Sequence, residues 1–500
     1  MTIHEKGYIL SIDQGTTSSR AILFDKNFKI IDTEQIETTQ IFPKPGWVEQ
    51  DATEIWETQL FVCRKLIARS GIDTKEIVSL GITNQRESTV IWDKNNGVPI
   101  YNAIIWQDNR TDSFCEDLKR SNISDYIENS TGLIIDSYFS ATKIKWILDN
   151  VKGAKKKAIN GDLLFGTIDS WLVWNLSDRK LHITDYSNAS RTMLFNINSL
   201  TWDKKILDYL GIPEHILPKV KESSYHYCNT AKGILGKTGI PIGSMIGAQQ
   251  AALFGHSCFY PGDIKNTYGT GCFMLMNTGK KNVKSQSGLI STIAWKINNE
   301  ITYALEGSIF VAGAAVKWLR DNMKIIESSE ETEKIAFEIK DNGNVYFVPA
   351  FAGLGAPHWN MQARGCIIGI TGNTNYKHIV RAALESMAYQ TKDIINSMEK
   401  DSGITINSLY VDGGASKNNF IMQFQSDILQ IEINRPRNTE ATAFGAALMA
   451  GMAVKFWNMK DINNYKPEQE YFSPKMQISL SKNLYNNWLK AVENSKNTKF

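Results

Sequence analysis

Three short segments carry residue types suited to holding a phosphorylated ligand. The first is Asp13-Gln14-Gly15-Thr16-Thr17-Ser18, with Arg20 just beyond. In a tight turn these residues offer backbone N–H groups and hydroxyls that can surround phosphate oxygens, and Asp13 can hold Mg²⁺ through water. Arg20 adds positive charge. The second segment is Tyr268-Gly269-Thr270-Gly271, where Thr270 sits between two glycines. The third is Asp412-Gly413-Gly414-Ala415, where Gly414 lets a base or ribose approach the backbone. Any one alone reads as an ordinary turn. All three at the ends of strand patterns argue for a nucleotide site. No GxxxxGK[ST] loop occurs, so the chemistry is not that of a P-loop.

A fourth segment, Asn84-Gln85-Arg86-Glu87, suits a small polyol. A carboxylate accepts from hydroxyl hydrogens and a guanidinium donates to hydroxyl oxygens. Adjacent residues face opposite ways in a strand but can converge on a loop. Trp106 offers an apolar wall and Tyr138 a ring with a hydroxyl. The bland alternatives are a surface ion pair for Arg86–Glu87 and core packing for the two aromatics.

The elements that must position these groups alternate between strands and helices. Tyr8–Ile12 and Arg20–Asp25 read as strands joined by a polar turn over 13–18. A similar unit recurs at Lys265–Thr267 and Cys272–Met276, which suggests a pseudo-repeat. Asp51 and Glu54 have the spacing of a capping box, with Ile55, Gln59, Cys63 and Leu66 at helical intervals after it. Ile77–Thr83 and Thr89–Asp93 read as strands. Ile379, Ala383, Met387, Thr391, Ile394 and Met398 form one face of a long helix, and Leu409–Val411 a short strand. The Gly- and Ala-rich run Ala441–Ala453 predicts a closely packed helix. This alternation argues for α/β layers in two related domains, 1–253 and 254–500.

With 500 residues, two large domains are expected. A composition 42% hydrophobic and 21% charged fits a globular protein, and a net charge of +3 gives no argument for nucleic acid. The lysine cluster over 152–157 reads as a solvated helix end. Six cysteines, at 63, 115, 228, 258, 272 and 366, form no C-x-x-C pair, so a reducing cytoplasm is expected. Neither a signal peptide nor a membrane span is expected.

Long stretches carry a resemblance: SIDQGTTSSRAILFD (11–25), PKPGWVEQD (43–51), GITNQRE (81–87), YNAIIWQ (101–107), TDYSNASRTMLFNI (184–197), NTYGTGCFMLMNTG (266–279), YALEGSIFVAGA (303–314) and VDGGASKNNFIMQFQSDIL (411–429). Through them the chain resembles glycerol kinases of the FGGY carbohydrate kinase family over nearly its whole length. The resemblance implies two actin-like (ribonuclease H-like) ATPase domains with the active site in the cleft between them. It implies Mg²⁺-dependent phosphorylation of glycerol by ATP, giving sn-glycerol 3-phosphate and ADP, in a homodimer or homotetramer. Thr16, Thr17, Ser18, Arg20 and Thr270 fall on its phosphate hairpins. Gly313, Lys317, Gly414 and Asn418 fall on nucleotide positions, although Gln is expected at 317. Arg86, Glu87, Trp106, Tyr138, Gln249 and Phe273 fall on the glycerol pocket, and Asp13 on the metal-associated acid.

One position departs from the pattern. Where the family reads GDQQ, this chain reads Gly247-Ala248-Gln249-Gln250. Ala248 takes the place of the Asp that accepts the proton of the attacking hydroxyl. Losing a placed general base costs about 10²–10⁴ in rate. The resemblance therefore implies a severely slowed enzyme. The alternatives are a pseudokinase that binds glycerol and nucleotide, another polyol or pentulose kinase of the family, and an actin- or chaperone-like ATPase. The loop 229–241 lacks the arginine of the members that bind fructose 1,6-bisphosphate, and His226 lies outside the phosphorylated-histidine context, so neither regulation is expected.

Overall fold

The computed structural model describes residues 7–351, 353–360, 362–437 and 440–497. Two sheets organise them. The first contains β1 (Tyr8–Gln14), β2 (Ser18–Asp25), β3 (Ile30–Glu37), β4 (Ile77–Asn84), β5 (Ser224–Asn229) and β6 (Pro241–Gly247), in the order β5-β6-β4-β1-β2-β3. The second contains β7 (Ile264–Tyr268), β8 (Cys272–Gly279), β9 (Ile290–Ile297), β10 (Glu300–Ile309), β11 (Ser408–Gly413), β12 (Glu432–Pro436) and β13 (Gln469–Phe472), in the order β9-β10-β8-β7-β11-β12-β13.

The pseudo-repeat is real and larger than two turns. In the first sheet β1 pairs antiparallel with β2, and β2 with β3, while β4 and β6 continue on the other side in parallel. In the second sheet β7, β8 and β10 repeat the antiparallel meander and β11 and β12 the parallel extension. This is the ribonuclease H-like arrangement that the resemblance implies, once in each half. Strand β1 is buried from Ile9 to Ile12, with Leu10 and Ile12 in one core cluster and Ile9 in another, because helices cover both faces of a central strand. Asp13 lies inside β1, so the turn is narrower than the sequence suggests and comprises Gly15–Thr17.

Helix α1 (Ala52–Ser70) is capped by Asp51, whose side chain accepts from Thr53 N. The capping box does not close: Glu54 accepts from Thr39 N at 3.0 Å instead, tying the helix start to the end of β3. Helix α2 (Ala248–Gly255) leaves β6 directly, so the expected boundary at 253 falls inside it. The remaining helices that matter here are α3 (Gly313–Asp321), α4 (Tyr376–Ser402), α5 (Asn419–Leu429) and α6 (Ala441–Ala453). The face expected for the long helix is the buried face of α4 from Ala383 to Met398.

Helix α6 lies in the second half of the sequence but packs on the first sheet. Ser11, Ser224 and Ser244 donate to its carbonyls at Ala443, Met449 and Ala446, at 2.7, 2.8 and 2.7 Å. It also crosses α2 at a pair of glycines. A Cβ on Gly445 would lie 1.9 Å from the Ala251 carbonyl, and one on Gly255 would lie 2.0 Å from that of Ala441. Only glycine permits this approach. All six cysteines are free thiols. Among the described residues no helix is long and apolar enough to cross a membrane.

Candidate active site

The polyol-side residues converge on the loop after β4. Glu87 adopts φ +61°, a left-handed conformation that is uncommon outside glycine. That turn brings Arg86 and Glu87 to 3.8 Å from each other, both almost wholly buried, so the pair is not a surface ion pair. Glu306 on β10 accepts from both terminal nitrogens of Arg86, the second at 3.2 Å. Arg191 donates to Glu87 at 2.6 Å and to Glu306 at 2.9 Å. Burial opposes the charge on Arg86, yet Glu306, Tyr138 and Glu87 hold its guanidinium above its usual value. Burial pushes Glu306 up, but Arg191 and Arg86 outweigh it and bring the carboxyl down to about 2. Two guanidinium groups and two carboxyl groups are thus paired with one another out of water.

Three aromatic rings wall this cluster. Trp106 meets Tyr138 edge-on at 5.7 Å and Phe273 at 6.1 Å between centroids. The indole N–H of Trp106 donates to the Thr16 hydroxyl at 2.9 Å, joining the apolar wall to the first hairpin.

Ala248 opens α2 beside this pocket and is half-buried. The preceding Gly247 is packed so closely that a Cβ there would lie 3.1 Å from the Arg86 side chain. Gln249 is held by the buried ammonium of Lys265, which also donates to Thr267 Oγ1 at 2.9 Å and to the Phe273 carbonyl at 3.1 Å. Burial lowers the Lys265 pKa to about 8, against the pull of Asp412.

The nucleotide-side residues lie on the two equivalent hairpins and the turns around them. Gly15 N closes the first hairpin on Ser18 O at 2.9 Å, leaving Thr17 exposed at its tip. Asp13 and Arg20 are register partners on β1 and β2, and Arg20 pairs with Glu440. Desolvation raises the Asp13 pKa to about 6, with Arg20 lowering it and Glu440 raising it. In the second hairpin Thr270 is exposed, and its carbonyl accepts from Ala312 and Ala314 at the start of α3, at 2.9 and 3.0 Å. Gly313 sits against the same turn: a Cβ would lie 2.6 Å from Gly269 O. Lys317 is exposed on α3. Gly414 is exposed, and a Cβ there would meet nothing within 4 Å, whereas Gly413 before it has φ +86° and packs on Tyr268. Asn418 caps α5 by accepting from Ile421 N at 3.1 Å.

Sequence reasoning missed Arg191, Glu306, Lys265 and Glu440. A signal existed for Glu306, a lone charge within the apolar strand Tyr303-Ala304-Leu305-Glu306-Gly307. Such a charge is buried only when paired.

Comparison with known proteins agrees with this layout. Residues 8–255 match the N-terminal domain of the FGGY family of carbohydrate kinases, and residues 264–454 match its C-terminal domain. The chain is 56% identical to a glycerol kinase of Alkaliphilus metalliredigens, covering 97% of this chain and 98% of that protein. It is 57% identical to a glycerol kinase of Treponema denticola, covering 98% and 99%. Its structure is similar to the crystal structure of Plasmodium falciparum glycerol kinase with ADP, with a TM-score of 0.93, 38% identity and 99% coverage of both chains. With two ribonuclease H-like sheets in tandem, both domain matches and near full-length relatives, the chain belongs to the FGGY family of carbohydrate kinases.

Proposed function

We propose that this chain is a glycerol kinase that binds glycerol in the Arg86–Glu87 pocket and ATP across the two hairpins, and that it turns over slowly. The observation that carries the reading is the placement of Ala248. It sits at the start of α2, next to a buried charged pocket walled by three aromatic rings. In this reading Arg86, Glu87 and Gln249 orient the hydroxyls, while Trp106, Tyr138 and Phe273 cover the carbon chain. Thr16, Thr17, Ser18, Arg20 and Thr270 hold phosphate oxygens, and Gly313, Lys317, Gly414 and Asn418 the rest of the nucleotide.

The Asp13 carboxylate suits a magnesium ion, because it is desolvated and makes no side-chain hydrogen bond with the described residues. When bound, the ion would neutralise charge on the phosphate oxygens, with Asp13 holding it through water. The protein's own contribution is positioning and electrostatics, which carry most of phosphoryl transfer. What position 248 lacks is an acceptor for the hydroxyl proton, since Ala248 offers only a methyl group.

The same proposal divides the chain into 1–253 and 254–500, and assigns it to the cytoplasm as a homodimer or homotetramer. Six free thiols suit a reducing compartment.

A coupled ADP-release assay with glycerol tests the reading, comparing this chain with Ala248→Asp. An acid is well tolerated at that position, because the positive end of a helix favours it. The variant is expected to be faster by about 10²–10⁴. Equal, rapid turnover by both would mean that another group takes the proton. Two inactive proteins that still bind glycerol would favour the pseudokinase reading. Binding of pentuloses in preference to glycerol would favour another substrate class.

A further inference from the structure

The four buried charges of the polyol side form a closed ring that alternates in sign. Arg86 bonds Glu306, Glu306 bonds Arg191, Arg191 bonds Glu87, and Glu87 returns to Arg86 at 3.8 Å. Relative exposures of 4, 1, 0 and 1% for Arg86, Glu306, Arg191 and Glu87 leave bulk water little access to replace a broken contact. Resting on the glycerol reading, we propose that Glu306 and Arg191 are positioning residues that set polyol specificity. Glu306 holds the Arg86 guanidinium and Arg191 holds the Glu87 carboxylate, so that the pocket demands a complete set of neighbouring hydroxyls.

What the ring fixes is direction. A guanidinium gripped through both terminal nitrogens cannot rotate, and Arg86 also donates to the Tyr138 hydroxyl and to Gln250 Oε1, both at 3.4 Å. Arg191 is pinned in turn by two carboxylates, and its guanidinium lies 5.4 Å from the Phe139 ring centroid and 5.8 Å from that of Tyr138. Its remaining terminal nitrogen, Nη1, is buried with no hydrogen-bond partner among the described residues. The donors and acceptors left to the substrate therefore point in set directions. A ligand that lacks one hydroxyl leaves a buried polar group unpaired, the arrangement that rejects deoxy analogues most strongly.

The ring also explains why neither half can make the pocket alone. Glu306 comes from the second sheet, 220 residues from Arg86, and Arg191 lies 104 residues from Glu87. The hairpin β9–β10 that carries Glu306 is fastened to the first half. Ser291 N donates to Gly132 O at 2.9 Å and the Tyr303 hydroxyl to Ile197 O at 2.8 Å. Glu306 is therefore delivered by a fixed element.

The experiment is calorimetric binding to the full chain and to Glu306→Gln, using glycerol, propane-1,3-diol and a non-hydrolysable ATP analogue. Removing one partner of a buried hydrogen-bonded charge pair is expected to weaken glycerol by about 30-fold or more. The diol should lose much less, so that the preference for glycerol narrows, while the ATP analogue binds as before. Retained preference for glycerol overturns the proposal, as does a proportional loss of all three ligands, which would mean a purely structural role. If Glu306→Gln does not fold, Glu306→Asp keeps the charge and shortens the reach. It is expected to shift the preference in the same direction by less, and an unchanged preference overturns the proposal. A parent chain that binds neither polyol overturns the glycerol reading and this inference together. A parent that binds glycerol, with variants that behave like it, overturns this inference alone.

Discussion

The two sides of the cleft are built on opposite plans. On the polyol side the charged groups are buried and paired with one another: Arg86, Glu87, Arg191 and Glu306 complete their ring among themselves. On the nucleotide side the residues are turns and exposed termini. Thr17, Thr270, Lys317 and Gly414 all face solvent. The difference follows from the size of what each side is proposed to hold. A three-carbon polyol offers little surface, so its recognition depends on groups already fixed in place. A nucleotide triphosphate offers charge and area enough to be held by backbone N–H groups and hydroxyls at the tips of hairpins. Substitutions should therefore behave differently on the two sides, coupling stability to binding on one and separating them on the other.

The largest effect is expected from Arg86→Ala. It leaves Glu306 and Glu87 buried with only Arg191 between them, and breaking a buried ionic cluster costs about 3–5 kcal/mol. Thermal or denaturant unfolding should show that loss, and glycerol should no longer stabilise the protein. A variant as stable as its parent would mean that the ring is not a structural unit, and the contrast between the two sides would fail.

Lys265 sharpens the contrast because it is a buried charge whose hydrogen-bonded partners are all neutral. Its folded pKa of about 8 lies below the ordinary lysine value. Below pH 8 both folded and unfolded chains hold the proton, and the cost of the buried charge is fully present. As pH rises from 8 towards about 10.4, the folded protein gives up the proton while the unfolded chain keeps it. The unfolded state then binds more protons, so this group adds stability as pH rises, by at most about 3 kcal/mol. Urea unfolding of the parent and Lys265→Met across that range should reveal the rise as a difference between them. A constant difference would show that Lys265 keeps its charge in the fold.

What the sequence disclosed follows the same division. Hairpins are local, so the turns at Gly15–Thr17 and Gly269–Gly271 announced themselves through glycine, threonine and the strands on either side. The convergence of Arg86 and Glu87 was legible only as an option, because it depends on a left-handed φ at Glu87 that residue type does not signal. The ring itself was hidden, since its partners meet only after both sheets have formed. Helix α6 shows a related limit. Its small residues announced close packing, yet nothing local says that a helix from the second half lies on the first sheet, pinned by Ser11, Ser224 and Ser244. Asp51 is the cap that its residue type predicts, but Glu54 is drawn away by Thr39, a neighbour only in the folded chain.

The smallest effect on the fold, and the cleanest test of the contrast, belongs to the hairpin tips. Thr17 and Thr270 are exposed, and the contacts that shape their turns are made by backbone atoms: Thr17 O accepts from Thr38 N at 3.0 Å, and Thr270 O accepts from Ala312 and Ala314. Replacing either side chain with alanine removes a hydroxyl but none of these bonds. Stability should therefore stay within about 0.5 kcal/mol of the parent. A hydroxyl that donates to a phosphate oxygen makes a charge-assisted bond of about 1.5–3 kcal/mol, so affinity for an ATP analogue should fall about tenfold or more. Glycerol binding without nucleotide should not change, because neither side chain belongs to the buried ring. Titration of Thr17→Ala and Thr270→Ala with each ligand separately would show this. A loss of glycerol affinity equal to the loss of nucleotide affinity would mean that the two sides are wired together, most directly through the bond from Trp106 to the neighbouring Thr16.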